Sequence, residues 1–138
     1  MNARTPADLE AVLTSLEAPV RLVFFTQTFG CDSCLSARQI VDWIASLSEH
    51  VTVEEFNLVL DTDQAARYGV QRAPAIAVVG ETDVGIRFYG AAEGHELVSL
   101  VDAIALVSSA DSGLSDDSRA RIAAVDQPIH IQVFATPT

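Results

Sequence analysis

The order of strand, helix and strand in the first half of the chain limits the choice of fold more than any other pattern in the sequence. Val20–Phe25 is a β-branched and aromatic run with the length of a buried strand. A helical apolar pattern follows from Leu35 to Leu47, and a second strand pattern runs from Val51 to Leu58. Because parallel strands need a crossover connection, usually a helix, this order predicts an α/β fold with parallel pairing at its centre.

The flanking patterns complete a small domain around this unit. A helix with Thr5 as its N-cap precedes the first strand, and a short helix follows the second strand. Strand patterns at 75–79 and 84–89 predict an antiparallel hairpin, and an amphipathic helix spans 96–107. We therefore expect a mixed four-stranded central sheet flanked by helices over residues 1–109, which resembles the thioredoxin-like plan.

Residues 110–138 fall outside that domain. A polar linker, a weak helix capped by Ser115 and an apolar run at 128–134 predict an extra C-terminal helix and strand. The last six residues, V-F-A-T-P-T, resemble V-F-F-T-Q-T at 23–28, so the tail repeats the lead-in to the two cysteines of the chain. We expect residues 110–138 to be the linker, helix and first strand of a truncated second unit, with that strand pairing in a homodimer or docking elsewhere.

Cys31 and Cys34 are the only cysteines in the chain, and two residues separate them. We expect Cys31 at the mouth of the helix that follows and Cys34 one turn in, at a separation that suits a disulfide. The partial positive charge of a helix N-terminus stabilises a thiolate at Cys31, and the thiolate is the attacking species in disulfide exchange. Cys34 would then resolve the mixed disulfide, so the spacing predicts a redox-active pair.

Two other uses of the cysteine pair stay open at this point. A structural zinc site needs four ligands, and His50, His95 and His130 are scattered without the spacing of a zinc motif. Zinc would therefore have to be shared between chains, and the two thiols could also be incidental. We predict no metal site and no bound cofactor other than the redox-active Cys31–Cys34 disulfide.

The composition argues against two classes of partner. The net charge is −11, and all eight cationic side chains are arginines. An acidic surface repels nucleic acids and anionic membranes, so we expect neither as a partner. The N-terminus has no long apolar run and the other apolar runs are too short to span a membrane, which predicts a cytoplasmic protein.

Pro74 begins the third strand pattern, within the string R-A-P-A at 72–75. Proline is tolerated as the first residue of any strand, so this position alone is weak evidence for a site. In a thioredoxin-like fold, however, a cis-proline faces the cysteine pair, and the backbone of the preceding residue is open to pair with a substrate strand. Ala73 and Pro74 are therefore the predicted substrate-binding residues, and the neighbouring Arg72 is left outside the predicted site.

Asp32 and Ser33, between the cysteines, are the residues predicted to tune the redox potential. At roughly 6 Å and an effective dielectric constant of about 40, the Asp32 carboxylate destabilises a Cys31 thiolate by on the order of 1 kcal/mol, about one pKa unit. A less stabilised thiolate makes a weaker oxidant, so we expect a couple that favours reduction of its substrates.

Four strings, in this order, resemble the archaeal-type protein disulfide oxidoreductases, glutaredoxin-like proteins with two thioredoxin-like units in tandem. They are F-T-Q-T-F-G-C-D-S-C, Y-G-V-Q-R-A-P-A, I-R-F-Y-G-A-A-E-G-H-E-L and I-H-I-Q-V-F-A-T-P-T. The resemblance matches Cys31 to the attacking cysteine of the first unit, Cys34 to the resolving cysteine and Pro74 to the cis-proline. The chain departs from the family because the whole second unit is lacking.

This resemblance implies a thiol–disulfide oxidoreductase that acts on protein disulfides and is recharged by a thioredoxin-reductase-like flavoprotein. One alternative is an electron-transfer module that feeds a peroxidase, similar to the N-terminal domain of the flavoprotein of alkyl hydroperoxide reductase. Another is a redox-inactive scaffold or a metal-binding dimer. Thioredoxin also has a buried carboxylate in the strand before its cysteines, where this chain has Phe24 and Phe25, so no residue is assigned to a proton relay.

Overall fold

The computed structural model describes residues 4–136, which form five helices and four strands. In chain order the elements are α1 (Pro6–Thr14), β1 (Val20–Thr26), α2 (Cys34–Leu47), β2 (Val51–Asn57), α3 (Thr62–Tyr68), β3 (Ala75–Val79), β4 (Ile86–Tyr89), α4 (His95–Ser109) and α5 (Asp116–Ala123). The predicted order of helices and strands up to residue 109 is confirmed, including Thr5 as the N-cap of α1.

The four strands form one mixed sheet in the spatial order β2-β1-β3-β4. β1 and β2 are parallel, with Thr26 opposite Asn57, because α2 carries the chain back across the sheet between them. β3 runs antiparallel to β1 and to β4, so the hairpin adds two strands on the other side of β1. The predicted mixed four-stranded sheet with flanking helices is confirmed, and β1 is one of its two central strands.

The side chains of β1 divide between the two faces of the sheet. Leu22 and Phe24 pack in one buried cluster with residues of α1, α2 and α4. Val23 and Phe25 pack in a second cluster, on the other face, with Ala65 and other residues of α3 and β3. These four side chains are fully buried, and the burial of each contributes about 1.5–3 kcal/mol of hydrophobic free energy relative to exposure. The strand before the cysteines is thus held firmly from both sides.

The strand directions bring four chain segments to one end of the sheet. The C-terminal ends of β1 and β2 lie side by side there. The start of β3 joins them because Ala75 pairs with Phe25, and the end of β4 joins because Tyr89 pairs with Ala75. We call this end of the sheet the cysteine end, since the loop that leaves β1 there leads to Cys31.

The C-terminal tail differs from its prediction in one element. Ser115 caps α5 as expected, and its side chain accepts a hydrogen bond from the N–H of Ser118. The predicted strand at 128–134 is not formed within this chain, because residues 126–136 form no helix or strand, and the apolar side chains from Ile129 to Phe134 are 66–89% exposed. A strand needs a neighbouring strand to satisfy its backbone hydrogen bonds, and no edge of the described sheet is paired with the tail. The last two residues of the V-F-A-T-P-T string lie outside the described residues.

Candidate active site

Cys31 and Cys34 form a disulfide at the cysteine end, with their Cα atoms 5.5 Å apart. The predicted helix start at Cys31 is wrong. Asp32 and Ser33 form a turn instead, and the hydrogen bond that the Ala37 N–H donates to the Ser33 carbonyl places the start of α2 at Cys34. Cys34 is 7% exposed and Cys31 is partly exposed, so Cys31 is the more accessible member of the pair.

The side chain of Gln27 holds the loop before the cysteines. The Gln27 amide nitrogen donates to the carbonyl of Phe29 at 2.9 Å and to the carbonyl of Gly30 at 3.2 Å. Gly30 has φ of +69°, a left-handed conformation that glycine adopts without a steric cost. The Phe29 side chain is 86% exposed beside this turn. The loop therefore leads into Cys31 through a glycine turn, with an exposed aromatic ring two positions before the cysteine.

The Ala73–Pro74 peptide bond is cis, and Pro74 is buried. The segment is fixed after the proline because Ala75 pairs with Phe25 and the Gly90 N–H donates to the Pro74 carbonyl at 2.9 Å. Ala73 is half-buried, and its N–H and C=O make no hydrogen bond to any other residue within 4–136. The two residues predicted from sequence to bind substrate thus lie at the same end of the sheet as the cysteines. The backbone N–H and C=O of Ala73 remain available for hydrogen bonds to another segment.

Asp32 and Ser33 show no contact that would by itself assign them a tuning role. Ser33 is the N-cap of α2 through its backbone, and its side chain makes no capping hydrogen bond. Asp32 is exposed, and the ion pairs among the described residues do not include its carboxylate. Its influence on Cys31 therefore stays a prediction that rests on its negative charge.

An ion pair that the sequence analysis did not identify joins α2 to β2. Two guanidinium nitrogens of Arg38 donate to the two carboxylate oxygens of Glu55, one of them at 2.6 Å, and the Arg38 guanidinium also lies 5.7 Å from the centre of the Phe24 ring. The hydrogen bond from Arg38 lowers the pKa of Glu55 and raises that of Arg38. Arg38 lies one helical turn after Cys34, so this pair fixes the first turn of α2 relative to the sheet.

A second contact missed by the sequence analysis lies beside the cis-proline. The Arg72 guanidinium is 4.6 Å from the centre of the Tyr89 ring, within the range of a cation–π interaction. Tyr89 is the last residue of β4, and Arg72 is exposed. Only the strand register brings these two residues together, and a sequence pattern does not reveal that register.

The described residues hold neither a buried carboxylate nor a cluster suited to a metal. The buried polar side chains within 4–136 are those of Ser48 and Ser108, and Phe24 and Phe25 fill the strand before the cysteines. Over the same residues, no group of three or more His, Cys, Asp or Glu side chains is placed to hold a metal ion. No helix of that region has the length and apolar character needed to cross a membrane.

Two curated proteins are similar to this chain, whereas no protein-family model matches it. One is a component of alkyl hydroperoxide reductase from Staphylococcus epidermidis, which is 28% identical over 141 residues that cover 100% of this chain and 25% of that protein. The other, a probable thioredoxin of Methanothermobacter thermautotrophicus, is 30% identical over 73 residues, which cover 52% of this chain and 81% of that protein. The second match spans most of a small thioredoxin.

Solved structures show the same fold. A protein disulfide oxidoreductase from Aeropyrum pernix has a TM-score of 0.75 at 22% identity, with 86% of this chain and 52% of that chain covered. The N-terminal domain of alkyl hydroperoxide reductase from Enterococcus faecalis has a TM-score of 0.78 at 24% identity, with 88% of this chain and 59% of that chain covered. The chain therefore spans about half of the first solved chain, 59% of the second, which is itself a domain, and a quarter of the curated reductase component.

The expected resemblance to the tandem oxidoreductases is confirmed at the level of the fold, because the Aeropyrum pernix oxidoreductase has the same fold as this chain. The identity to the probable thioredoxin extends over four fifths of that protein, and the chain has a Cys-X-X-Cys pair at disulfide distance. The chain therefore belongs to the thioredoxin family of thiol–disulfide oxidoreductases.

Proposed function

We propose that the chain exchanges electrons with protein disulfides through Cys31 and Cys34, with Ala73 and Pro74 as the substrate-binding residues. The arrangement at the cysteine end carries this proposal. A partly exposed cysteine lies next to a sheltered one, and both share an end of the sheet with the unpaired backbone of Ala73. An extended substrate segment can add to such a backbone as a strand and present its own disulfide to Cys31.

In the reducing direction the exchange takes two steps. The Cys31 thiolate attacks one sulfur of the substrate disulfide, forms a mixed disulfide with it and releases the other substrate sulfur as a thiolate, which takes up a proton. Cys34 then loses its proton and attacks the Cys31 sulfur, which closes the Cys31–Cys34 disulfide and releases the second substrate thiol. Two electrons pass to the substrate, and no bound metal or organic cofactor is required.

The direction and the electron donor complete the proposal. The negative charge of Asp32 beside Cys31 disfavours the thiolate, which favours the oxidised pair and so makes the chain a reductant of its substrates. Ser33, as the N-cap of α2, would set the backbone geometry between the two sulfurs. A thioredoxin-reductase-like flavoprotein of the cytoplasm would return the Cys31–Cys34 disulfide to the dithiol.

A trapping experiment tests the central claim. Cys34→Ser removes the resolving thiol, so mixed disulfides with substrate proteins should accumulate on Cys31 and disappear on reduction. Cys31→Ser is the matched control, because it also leaves one cysteine, and it should trap little. The wild type should reduce insulin with dithiothreitol as the electron source, whereas both variants should not. Equal trapping by the two variants, or insulin reduction by either, would contradict the assigned roles.

A second function is favoured by one observation, the 28% identity of the whole chain to a component of alkyl hydroperoxide reductase. In this alternative the Cys31–Cys34 dithiol reduces the disulfide of a cysteine peroxidase rather than a range of proteins. Single-turnover oxidation of the reduced chain by a disulfide-form peroxidase and by insulin separates the two. A rate with the peroxidase that exceeds the insulin rate by several orders of magnitude would favour the alternative.

The tail has a proposed role of its own. Residues 110–138 would be the beginning of a second thioredoxin-like unit, and the apolar segment 128–134 would pair with a partner strand, in the simplest case that of another copy. Light scattering on the chain with and without residues 127–138 tests this. A monomer in both cases would contradict the homodimer.

A further inference from the structure

We propose that Arg72 selects protein substrates that carry a carboxylate next to their reacting cysteine. This inference rests on the proposed function, because it concerns the segment that would pair with Ala73. It extends the proposed site by one specificity-determining side chain and gives the substrate a chemical class, an extended segment with an acidic residue flanking the cysteine.

Arg72 is one of two arginines in residues 4–136 that form no ion pair with a carboxylate. Acidic residues outnumber basic residues by 19 to 8, and most arginines contact a carboxylate of the same chain. Those with such a partner within residues 4–136 are Arg4, Arg21, Arg38, Arg87, Arg119 and Arg121. In the same part of the chain, Arg67 and Arg72 have none, and each lies over a tyrosine ring instead. Their charge is therefore available to a partner molecule.

The contact with Tyr89 positions the Arg72 guanidinium for such a partner. The Arg72 guanidinium carbon lies over the Tyr89 ring, 4.6 Å from its centre, within the range of a cation–π contact. A guanidinium has five N–H donors, and a cation–π contact uses none of them in a hydrogen bond to a carboxylate, so they remain able to bind the two oxygens of a substrate carboxylate.

The position of Arg72 in the chain decides which substrate residue it would meet. Arg72 immediately precedes Ala73, whose backbone is unpaired and lies at the cysteine end. If the substrate cysteine lies opposite Ala73 in a strand pair, a residue next to that cysteine lies opposite Arg72. Opposite charges at facing positions of paired strands attract one another. Arg67 belongs to α3 and is not part of this segment.

The rest of the chain opposes this preference at long range. The net charge of −11 repels an acidic peptide, and Asp32 adds a negative charge beside Cys31. At about 0.15 M salt the screening length is about 8 Å, so distant charges are screened more strongly than one direct contact. An exposed ion pair typically contributes about 0.2–1 kcal/mol, which corresponds to a factor of about 1.4 to 5 in rate or affinity. The effect must therefore be measured against a variant of matched charge.

The test uses two synthetic peptide disulfides at about 0.15 M salt. One contains Asp-Cys-Asp and the other Asn-Cys-Asn, and each is a disulfide-linked dimer. The single-turnover rate with the reduced chain is divided by the rate of the same peptide with dithiothreitol, which removes differences in intrinsic reactivity. The measured quantity is the ratio of the corrected Asp-peptide rate to the corrected Asn-peptide rate.

Arg72→Gln should lower this ratio by a factor of about 1.4 to 5 relative to wild type while leaving the Asn-peptide rate unchanged. Arg67→Gln is the control, because it removes one positive charge and one tyrosine contact elsewhere, and it should leave the ratio unchanged. Tyr89→Phe keeps the ring and should preserve the ratio, whereas Tyr89→Leu should lower it.

Three results would overturn the inference. They are an unchanged ratio in Arg72→Gln, an equal fall in Arg67→Gln, and a loss of both peptide rates together in Arg72→Gln, which would mark Arg72 as structural. Failure of the wild type to reduce the Asn peptide and insulin would refute the proposed function itself, and the selection by Arg72 with it. A normal Asn-peptide rate without any charge preference would refute the role of Arg72 alone.

Discussion

The oxidised chain should be more stable against unfolding than the reduced chain, by about 2 kcal/mol before opposing effects are counted. The disulfide joins cysteines three positions apart and so closes a loop of four residues. In the chain-entropy description, closing a loop of this size removes about 6 cal/mol/K from the unfolded ensemble, or about 2 kcal/mol at 25 °C. The folded chain does not lose this entropy on oxidation, because its backbone already holds both cysteines.

The folded structure preserves most of that difference. A Cα–Cα distance of 5.5 Å lies well inside the usual range for disulfides, so the backbone need not shift to form the bond. The opposing effect is stabilisation of the Cys31 thiolate in the reduced form. A helix N-terminus supplies about 0.3–1 kcal/mol of this kind, but Cys31 lies outside α2 and next to the Asp32 carboxylate. We therefore expect a net difference of about 1–2 kcal/mol in favour of the oxidised form.

The same difference sets the redox potential through a thermodynamic cycle. If oxidation is easier in the folded chain than in the unfolded chain by about 1–2 kcal/mol, the folded couple is more reducing by about 20–40 mV. Urea unfolding of the oxidised and dithiothreitol-treated forms, analysed with a shared m-value, measures it. The double variant Cys31→Ser/Cys34→Ser is the control and should not respond to dithiothreitol. A reduced form that is the more stable one would refute the reasoning and indicate an oxidant.

Three further predictions concern individual side chains. Asp32→Asn should lower the Cys31 pKa by about one unit and raise the potential by up to about 30 mV; an unchanged thiolate absorbance titration would contradict the tuning role. The Arg38 hydrogen bond depresses the pKa of Glu55, so its stabilisation is present above the unfolded pKa of about 4.3 and is lost as the pH falls through the lower folded pKa. The stability advantage of wild type over Glu55→Gln, from urea midpoints, should therefore shrink below about pH 4, and a constant gap would disprove it. Gly80→Ala would place a Cβ 2.7 Å from the Val107 Cγ1 and should destabilise the fold by about 1–3 kcal/mol. A double variant with Val107→Ala should recover part of that loss in thermal unfolding, and no recovery would exclude the clash as the cause.

Periodic patterns predicted most of the fold, and the start of α2 shows where they stop. The apolar spacing from Leu35 onward identifies the helix, but Thr28, Asp32 and Ser33 are all residues that commonly cap helices. Ser33 caps α2 because Asp32 and Ser33 form a turn, and the apolar spacing of the helix does not show where that turn lies. The disulfide spacing of the cysteine pair was therefore predicted correctly, whereas its placement on the helix was not.

The tail shows a different limit of sequence patterns. The segment I-H-I-Q-V alternates apolar and polar residues as a half-buried strand does, and this favoured a strand at 128–134. Alternation records which face would be buried, but a strand also needs a partner for its backbone hydrogen bonds. In the described residues the tail has no such partner, so the alternating sequence at 128–134 does not form a strand there. The Arg38–Glu55 and Arg72–Tyr89 contacts were missed for the related reason that both depend on how strands and helices lie side by side.

At the cysteine end, the residues that set the energetics of the redox reaction lie on a different chain segment from those proposed to attract an acidic substrate. The stability of the thiolate depends on Asp32 and on the position of Cys31 before α2, and both lie on the segment that follows β1. Substrate selection, as proposed, depends on Arg72 and Tyr89, which belong to the segments that begin β3 and end β4. Because Arg72 and Tyr89 are not among the residues that set the stability of the thiolate, a change at either of them need not change the redox potential, whereas a change at Asp32 alters both the potential and the repulsion of an acidic substrate. A thioredoxin-like chain can therefore acquire a preference for acidic substrates through two side chains while its cysteine chemistry stays the same.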